Sequence, residues 1–271
     1  MEGQLHPRRL GFGLVARAPE DRGALAGLAV ELEQLGYDEL WANDNRLRSG
    51  LATLAAAADG AERITLGLGV APLSDRSPAE IAAEAISLKI PRDRLILGIG
   101  TGGGSSLQSV RDGVAALRQL LPGARICIAA LGPRMCRLGG EIADVVLLNW
   151  AFPDRIAWAR QRIAEGAARA GRPVPVAASY VRVAIGVDAS QRLLQEADRY
   201  RGRPRPYTRL FHEQAADEAR VPGIGVVDAA AVSSLLAPYR SALDTCVVRA
   251  LPASGSVDEL REIARAAAGA S

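Results

Sequence analysis

The chain has 271 residues, 49% of them hydrophobic and only 4% aromatic, and its 33 basic and 30 acidic residues leave a net charge of +3. That length suits one large α/β domain or two small ones, and the apolar fraction supplies a sizeable core built mainly from Ala, Val, Leu and Ile. Interspersed charges exclude nucleic acid as the leading partner. The one basic cluster, Arg201, Arg203, Arg205 and Arg209, reads as a solvated face, with phosphate binding or a partner surface as alternatives.

The pass along the chain alternates short apolar runs with helical patterns. Residues 10–16 (LGFGLVA) read as a first strand, followed by a helix over 22–35 that Gly36 closes. Residues 38–42 (DELWA) form a second strand and 51–58 a short helix; 64–71 (ITLGLGVA) form a third strand and 78–88 a helix with Pro78 at its start. Residues 95–100 (LILGIG) are a fourth strand before a helix over 107–121, and 126–131 (ICIAAL) a fifth before a helix from Pro133. Residues 145–150 (VVLLNW) are a sixth strand before an amphipathic helix over 154–170, and 176–187 a seventh before a helix from Ser190. Residues 245–251 (TCVVRAL) are the eighth strand, and 257–268 the closing helix. Continuous apolar strands indicate burial on both faces, as in a parallel sheet. Eight strand–helix units select a single-domain (β/α)₈ barrel spanning 1–271 over a doubly wound sheet. Residues 201–227 break the rhythm with a helical stretch over 207–219 and a Pro222-Gly223 turn; they read as an excursion over the barrel mouth or a dimer surface.

Three widely spaced cysteines, Cys127, Cys136 and Cys246, form no C-x-x-C pair and fit a reducing, cytoplasmic setting. The N-terminal residues carry no secretory signal pattern, and no apolar run approaches the ~18 residues of a membrane span. With His6 and His212 as the only histidines, no metal site has suitable spacing, and no G-x-S-x-G elbow is present.

A barrel works at the C-terminal ends of its strands. The segments there are Asn43 to Arg46, Pro72 to Arg76, Thr101 to Ser106, Gly132 to Arg134, Asn149 with Trp150, and Ser179 with Tyr180. Glycines after the fourth and fifth strands let backbone N–H groups approach an anion at a helix N-terminus, although either loop reads equally as a tight turn. Arg134 adds a guanidinium. Asp44 is placed to orient a substrate or a cofactor ring, or else to cap the next helix or pair with Arg46.

Several segments together resemble the luciferase-like flavin and deazaflavin oxidoreductases. Leu35-Gly36-Tyr37-Asp38-Glu39-Leu40-Trp41 followed by Asp44 looks like that family's LGFDSLWxxDH segment. Residues 62–70 (ERITLGLGV) look like its TxRIxLGTGV strand, and 94–102 (RLILGIGTG) like RLILGIGTG. Residues 128–150, from IAALGPRM to LLNW, are similar to a stretch of the deazaflavin-dependent branch. The resemblance implies a barrel oxidoreductase that binds coenzyme F420, a 5-deazaflavin, at the strand C-termini and moves a hydride to or from a small organic substrate. FMN-dependent monooxygenation is the alternative, and a homodimer is implied. It also implies a bulge with a cis peptide at Gly69-Val70 beside Ala71, behind the cofactor ring. Cofactor contacts would fall on Thr101, Gly102, Gly103 and Ser106, on Ala130, Leu131, Gly132, Pro133 and Arg134, and on Asn149.

Three departures qualify the resemblance. The histidine after Asp44 is Asn45, which cannot take up a proton near neutral pH. A glutamate carried by some members is Gly103 here, and an insertion before the fifth strand is cut to a few residues after Leu121. Asp44, Asn45 and Tyr180 are therefore the candidate hydrogen-bonding groups for catalysis, and a barrel that has lost its chemistry and only binds a ligand or partner subunit is a third reading.

Overall fold

The computed structural model describes residues 8–17, 21–44, 48–102, 106–202, 205–217 and 220–270. In chain order the elements are β1 (Arg9–Val15), α1 (Arg22–Gln34), β2 (Glu39–Asn43), α2 (Gly50–Ala58), β3 (Thr65–Pro72), α3 (Pro78–Ser87), β4 (Leu95–Gly100), α4 (Leu107–Leu120), β5 (Arg125–Ala129) and α5 (Pro133–Ile142). They continue with β6 (Val145–Asn149), α6 (Pro153–Arg169), β7 (Val176–Ile185), α7 (Ala189–Arg201), α8 (Arg205–Glu213), β8 (Ile224–Val226), α9 (Val232–Ala242), β9 (Thr245–Ala250) and α10 (Val257–Ala268). All pairings are parallel. Neighbours follow in order from β1 to β7, β7 pairs with β9, and β9 returns to β1, so eight strands close a barrel. Short β8 lies outside the ring, against the far end of β7.

Local sequence explains the elements. Runs such as LILGIG in β4 and TCVVRA in β9 are buried along their whole length because helices cover one side and the barrel interior the other. Serine caps start several helices: Ser49, Ser106 and Ser256 each accept an N–H from the first turn, and Ser77 completes a reciprocal capping box with Glu80 ahead of Pro78. The link from α4 to β5 is four residues long, as the Leu121-Pro122-Gly123 sequence suggests. Between β7 and β9 the chain carries more than expected. The helical stretch in the excursion is α8, Arg205–Glu213, shorter than residues 207–219, and the sequence reading did not anticipate α9, which contains Pro238.

Buried side chains divide into three groups. The largest lies between the strands and the outer helices. A second, including Trp41, Ile96, Cys127, Leu147, Tyr180 and Val247, fills the barrel interior. Glycine makes room for its two large rings: a Cβ on Gly67 would stand 2.3 Å from the Trp41 ring. The third group, Trp150, Leu193, Ala197, Leu210 and Phe211, packs the excursion onto the ends of β6 and β7. There Gln214 bridges the Trp150 carbonyl (2.8 Å) and the Phe152 N–H (2.9 Å). The excursion therefore roofs the β6–β7 side of the mouth.

The opposite, N-terminal rim is stapled by carboxylates. Asp38 accepts from the Leu10 N–H (2.9 Å), Asp144 from Ile126 (2.8 Å) and Asp244 from Ala177 (2.8 Å). Glu33 accepts from both Arg63 and Ile64. Just inside this rim the buried Glu39 carboxylate takes the Trp41 indole N–H at 2.8 Å and stands 3.6 Å from the Arg9 guanidinium. Burial pushes its pKa up, against the opposing effects of the Trp41 bond and nearby Arg125 and Arg9.

Candidate active site

The C-terminal mouth is built on a break in β3. The register of β3 against β4 shifts between Leu68 and Ala71, and the Gly69-Val70 peptide is cis. Both features lie where the resemblance implied them. Gly69 is buried and Val70 half-buried, while Ala71 is buried and pairs with Ile99. The Gly69 carbonyl accepts the Tyr180 hydroxyl at 3.0 Å across the barrel interior. A Cβ on Gly69 would stand 2.4 Å from that hydroxyl, so only glycine fits here without displacement. Tyr180 is itself buried, and burial pushes its phenol pKa up. It supports the bulge from beneath and presents no free hydroxyl to the mouth.

Asp44 is also committed. One carboxylate oxygen accepts the Gly50 N–H at 2.8 Å and the other pairs with Arg76 at 2.6 Å. Arg76 also pairs with Glu84, and burial, which alone would lower its pKa, is outweighed by these two carboxylates, so the guanidinium stays above its ordinary value. Among the described residues the charged partner of Asp44 is Arg76 from the β3–α3 loop, a residue the sequence reading placed at the mouth without a role. Asn45, Arg46 and Gly103 lie outside the described residues.

The helix N-termini after β4 and β5 face the same mouth. Thr101 is half-buried and Gly102 exposed, at φ 61°. A Cβ on Gly102 would stand 2.0 Å from the Ser74 hydroxyl, so glycine permits the two loops to meet. Ser106 spends its hydroxyl on the Ser109 N–H as the α4 cap. Gly132 caps α5 with open space around its Cβ position, Pro133 occupies the first turn, and Arg134 is exposed. The Leu131 carbonyl accepts from Arg155. Ala130 departs from the role the resemblance implied: its amide is bonded to the Leu147 carbonyl at 3.0 Å within the sheet and is not offered to a ligand.

Two functional candidates were missed. Tyr180 and Val247 face the barrel interior, so the alternation of strands puts Arg182 and Arg249, two residues further along each strand, on the same face at the mouth. Arg182 donates to the Asn149 side-chain carbonyl and lies with its guanidinium carbon 3.8 Å from the centre of the Trp150 ring. Arg249 donates to the Asn43 side-chain oxygen Oδ1 at 3.1 Å. Asn149 in turn donates to the Tyr207 hydroxyl (3.0 Å) of the excursion. The signal was available: an arginine interrupts each of the otherwise apolar runs YVRVAI and TCVVRA.

An eight-stranded parallel barrel with a bulged third strand and helix N-termini at the mouth after its fourth and fifth strands places the chain among the (β/α)₈ barrel proteins. The chain belongs to the luciferase-like monooxygenase family, whose model matches residues 5–120 and 111–267. It is similar to a 5,10-methylenetetrahydromethanopterin reductase of Methanolobus tindarius, 30% identical over 205 residues that cover 62% of this chain and 63% of that protein. The chain thus spans less than two thirds of that relative's length. Among solved structures it resembles the coenzyme F420-dependent tetrahydromethanopterin reductase of Methanopyrus kandleri, with a TM-score of 0.75, 18% identity and coverage of 96% of this chain and 98% of that one. An F420-dependent secondary alcohol dehydrogenase holding an F420–acetone adduct matches with a TM-score of 0.73, 16% identity and coverage of 96% and 99%. At these identities the solved structures speak to the fold alone.

Proposed function

We propose that this chain is an oxidoreductase that binds coenzyme F420 at the barrel mouth and transfers a hydride to or from a small organic substrate. The observation that carries the reading is the bulged end of β3, held from below by the Tyr180 hydroxyl and facing the N-termini of α4 and α5. The chain's family, and a fold shared with two F420-dependent enzymes, are consistent with it. The residues fit such a group. Val70 offers a half-buried apolar platform, and the space around Gly132 at the α5 N-terminus leaves room for an anionic tail beside backbone donors.

When bound, F420 supplies a ring carbon that gives or accepts a hydride, and the protein supplies binding and orientation. In this chain Val70 and Gly69 would back the ring, while Thr101, Gly102 and Gly132 would line its phosphate-bearing tail. Tyr180 fixes the bulge. Asp44, locked to Arg76 and Gly50, holds the β2–α2 and β3–α3 loops in place. A homodimer and a cytoplasmic location belong to the same proposal. No helix among the described residues is long and apolar enough to cross a membrane.

Titration of the purified protein with F420 and, separately, with FMN tests this. Trp150 lies directly after β6 at the mouth and reports by fluorescence. Selective micromolar binding of F420 is the expected result. Selective binding of FMN replaces the reading with a flavin monooxygenase, and binding of neither leaves a barrel without cofactor chemistry.

A further inference from the structure

Arg182 and Arg249 stand directly side by side in the β7–β9 register. They are 1% and 7% exposed. Two like charges at this spacing repel, and each guanidinium has left water. Arginine cannot shed its proton to escape this cost. Burial pulls the pKa of Arg182 down and the neighbouring Arg249 adds to the effect, against the opposing influence of Tyr200, Glu196 and Tyr207.

Among the described residues neither arginine forms an ion pair with a carboxylate. The Arg182 Nε and an Arg249 Nη are buried with no hydrogen-bond partner, as is the Trp150 indole N–H against which Arg182 stacks. Arg160 and Arg192 also carry one buried nitrogen each without a hydrogen bond, but both side chains are half-buried and each has a carboxylate: Arg160 stands 2.8 Å from Asp244, and Arg192 pairs with Asp188 and donates to the Ile185 carbonyl. Buried polar groups in native proteins are nearly always bonded, so three unmatched donors on one wall call for a partner that is not part of the chain. Both arginines lie one inward-facing position above Tyr180 and Val247, and Tyr180 reaches across to Gly69. The pair therefore lies across the mouth from the β3 bulge.

We propose that Arg182 and Arg249 form a binding site for a substrate oxyanion, a carboxylate or phosphate group that enters the mouth and takes the unmatched guanidinium N–H groups. Only the assignment of that anion to a hydride-transfer substrate rests on the oxidoreductase reading. The substrate class is then a small acid whose reducible or oxidisable carbon lies a short distance from its anionic group. The guanidinium pair discriminates by charge: a neutral amide of the same shape leaves both cations unpaired.

Calorimetric and thermal-shift titrations of the cofactor-free protein, in low-chloride buffer, test the site independently of F420. The probes are crotonate, inorganic phosphate and crotonamide. The expected result is saturable binding and thermal protection by at least one anion and none by crotonamide. Crotonate alone assigns a carboxylic acid, phosphate alone a phosphorylated substrate, and either supports the site. Arg249→Met should weaken the binding anion by ~10-fold to ~100-fold, the range of a charge-assisted hydrogen bond. Without anion the variant should melt no lower than wild type, because it removes an uncompensated buried charge. Should Arg249→Met not fold, Arg249→Lys provides the same comparison with the charge kept and the fork lost, and a severalfold weakening is expected. No protection of wild type by either anion, or protection unchanged in the variant, overturns the proposal. Anion binding without F420 binding would retain the site while removing the F420-dependent hydride-transfer reading, so the two failures are separable.

Discussion

The two ends of the barrel treat charge in opposite ways. At the N-terminal rim, Asp38, Asp144, Asp244 and Glu33 each accept a backbone N–H at a strand start, and three of them also meet a guanidinium: Arg118 on Asp144, Arg160 on Asp244 and Arg63 on Glu33. At the C-terminal mouth, Arg182 and Arg249 are buried beside each other with no carboxylate partner among the described residues. A rim whose carboxylates hold strand N–H groups serves stability, and a rim with buried cations left without a carboxylate is prepared for something that binds, which is the division of labour of this fold. Glycine serves two different needs: Gly67 makes room for Trp41 inside the barrel, whereas Gly132 at the mouth opens on empty space.

Substitutions at the closed end should cost most. Asp244→Ala removes the partner of the Ala177 N–H and of Arg160, and we expect a loss of about 2–4 kcal/mol in urea unfolding. Asp244→Asn keeps a carbonyl acceptor and should recover part of it. A cost for the alanine variant within the ~0.5 kcal/mol of an ordinary surface change would remove the distinction between the two rims. Gly67→Ala forces a methyl onto the Trp41 ring and should cost about 1–3 kcal/mol. Gly132→Ala meets nothing and should leave stability within about 0.5 kcal/mol while weakening F420 in the fluorescence titration.

Much of the fold could be read beforehand because the strands of a parallel barrel are apolar on both faces and stand out as runs; ITLGLGVA and LILGIG fall on β3 and β4 within a residue or so. The stretch from α8 to α9 could not. Its helices cover the ends of β6, β7 and β9 by long-range packing, and Pro238 inside α9 argues locally against a helix. The site was legible in part. Glycine-rich loops after β4 and β5 announce themselves by composition, but the partners of Asp44 and Tyr180 depend on contacts 32 and 111 residues away in the chain. Arg182 and Arg249 sat in plain view inside strands. Their meaning needed the register that sets them side by side and the lack of an ion pair to either among the described residues.

A smaller effect joins the two ends through the barrel interior. Tyr180→Phe leaves the Gly69 carbonyl without its partner while keeping the ring against Trp41, at an interplanar angle of 82°. The expected cost is about 1 kcal/mol in stability. If the hydroxyl also fixes the platform, F420 affinity should fall by roughly threefold to tenfold, a loss of the same order in free energy. A stability loss with unchanged affinity would confine Tyr180 to the barrel interior.

The smallest expected effect is a pH dependence present at one end and absent at the other. Burial alone would raise the pKa of Glu33, but N–H groups of Arg63 and Ile64 and the charges of Arg63 and Arg94 outweigh it and hold the carboxyl below its ordinary value of 4.5. A carboxyl depressed in the folded state binds its proton more readily when unfolded. Its stabilising contribution is therefore complete above 4.5 and lost as pH falls through that value toward the folded pKa. Glu33→Gln keeps an acceptor for the backbone but removes the titration. The stability difference between wild type and this variant should be largest near neutral pH and shrink on acidification below about 4.5. Urea midpoints measured across that interval check it, and a difference that stays constant or grows as pH falls would sink the account. Arg249→Met provides the opposite end of the comparison. Arginine does not titrate anywhere in this interval, so without added anion its difference from wild type should be flat over the same pH range.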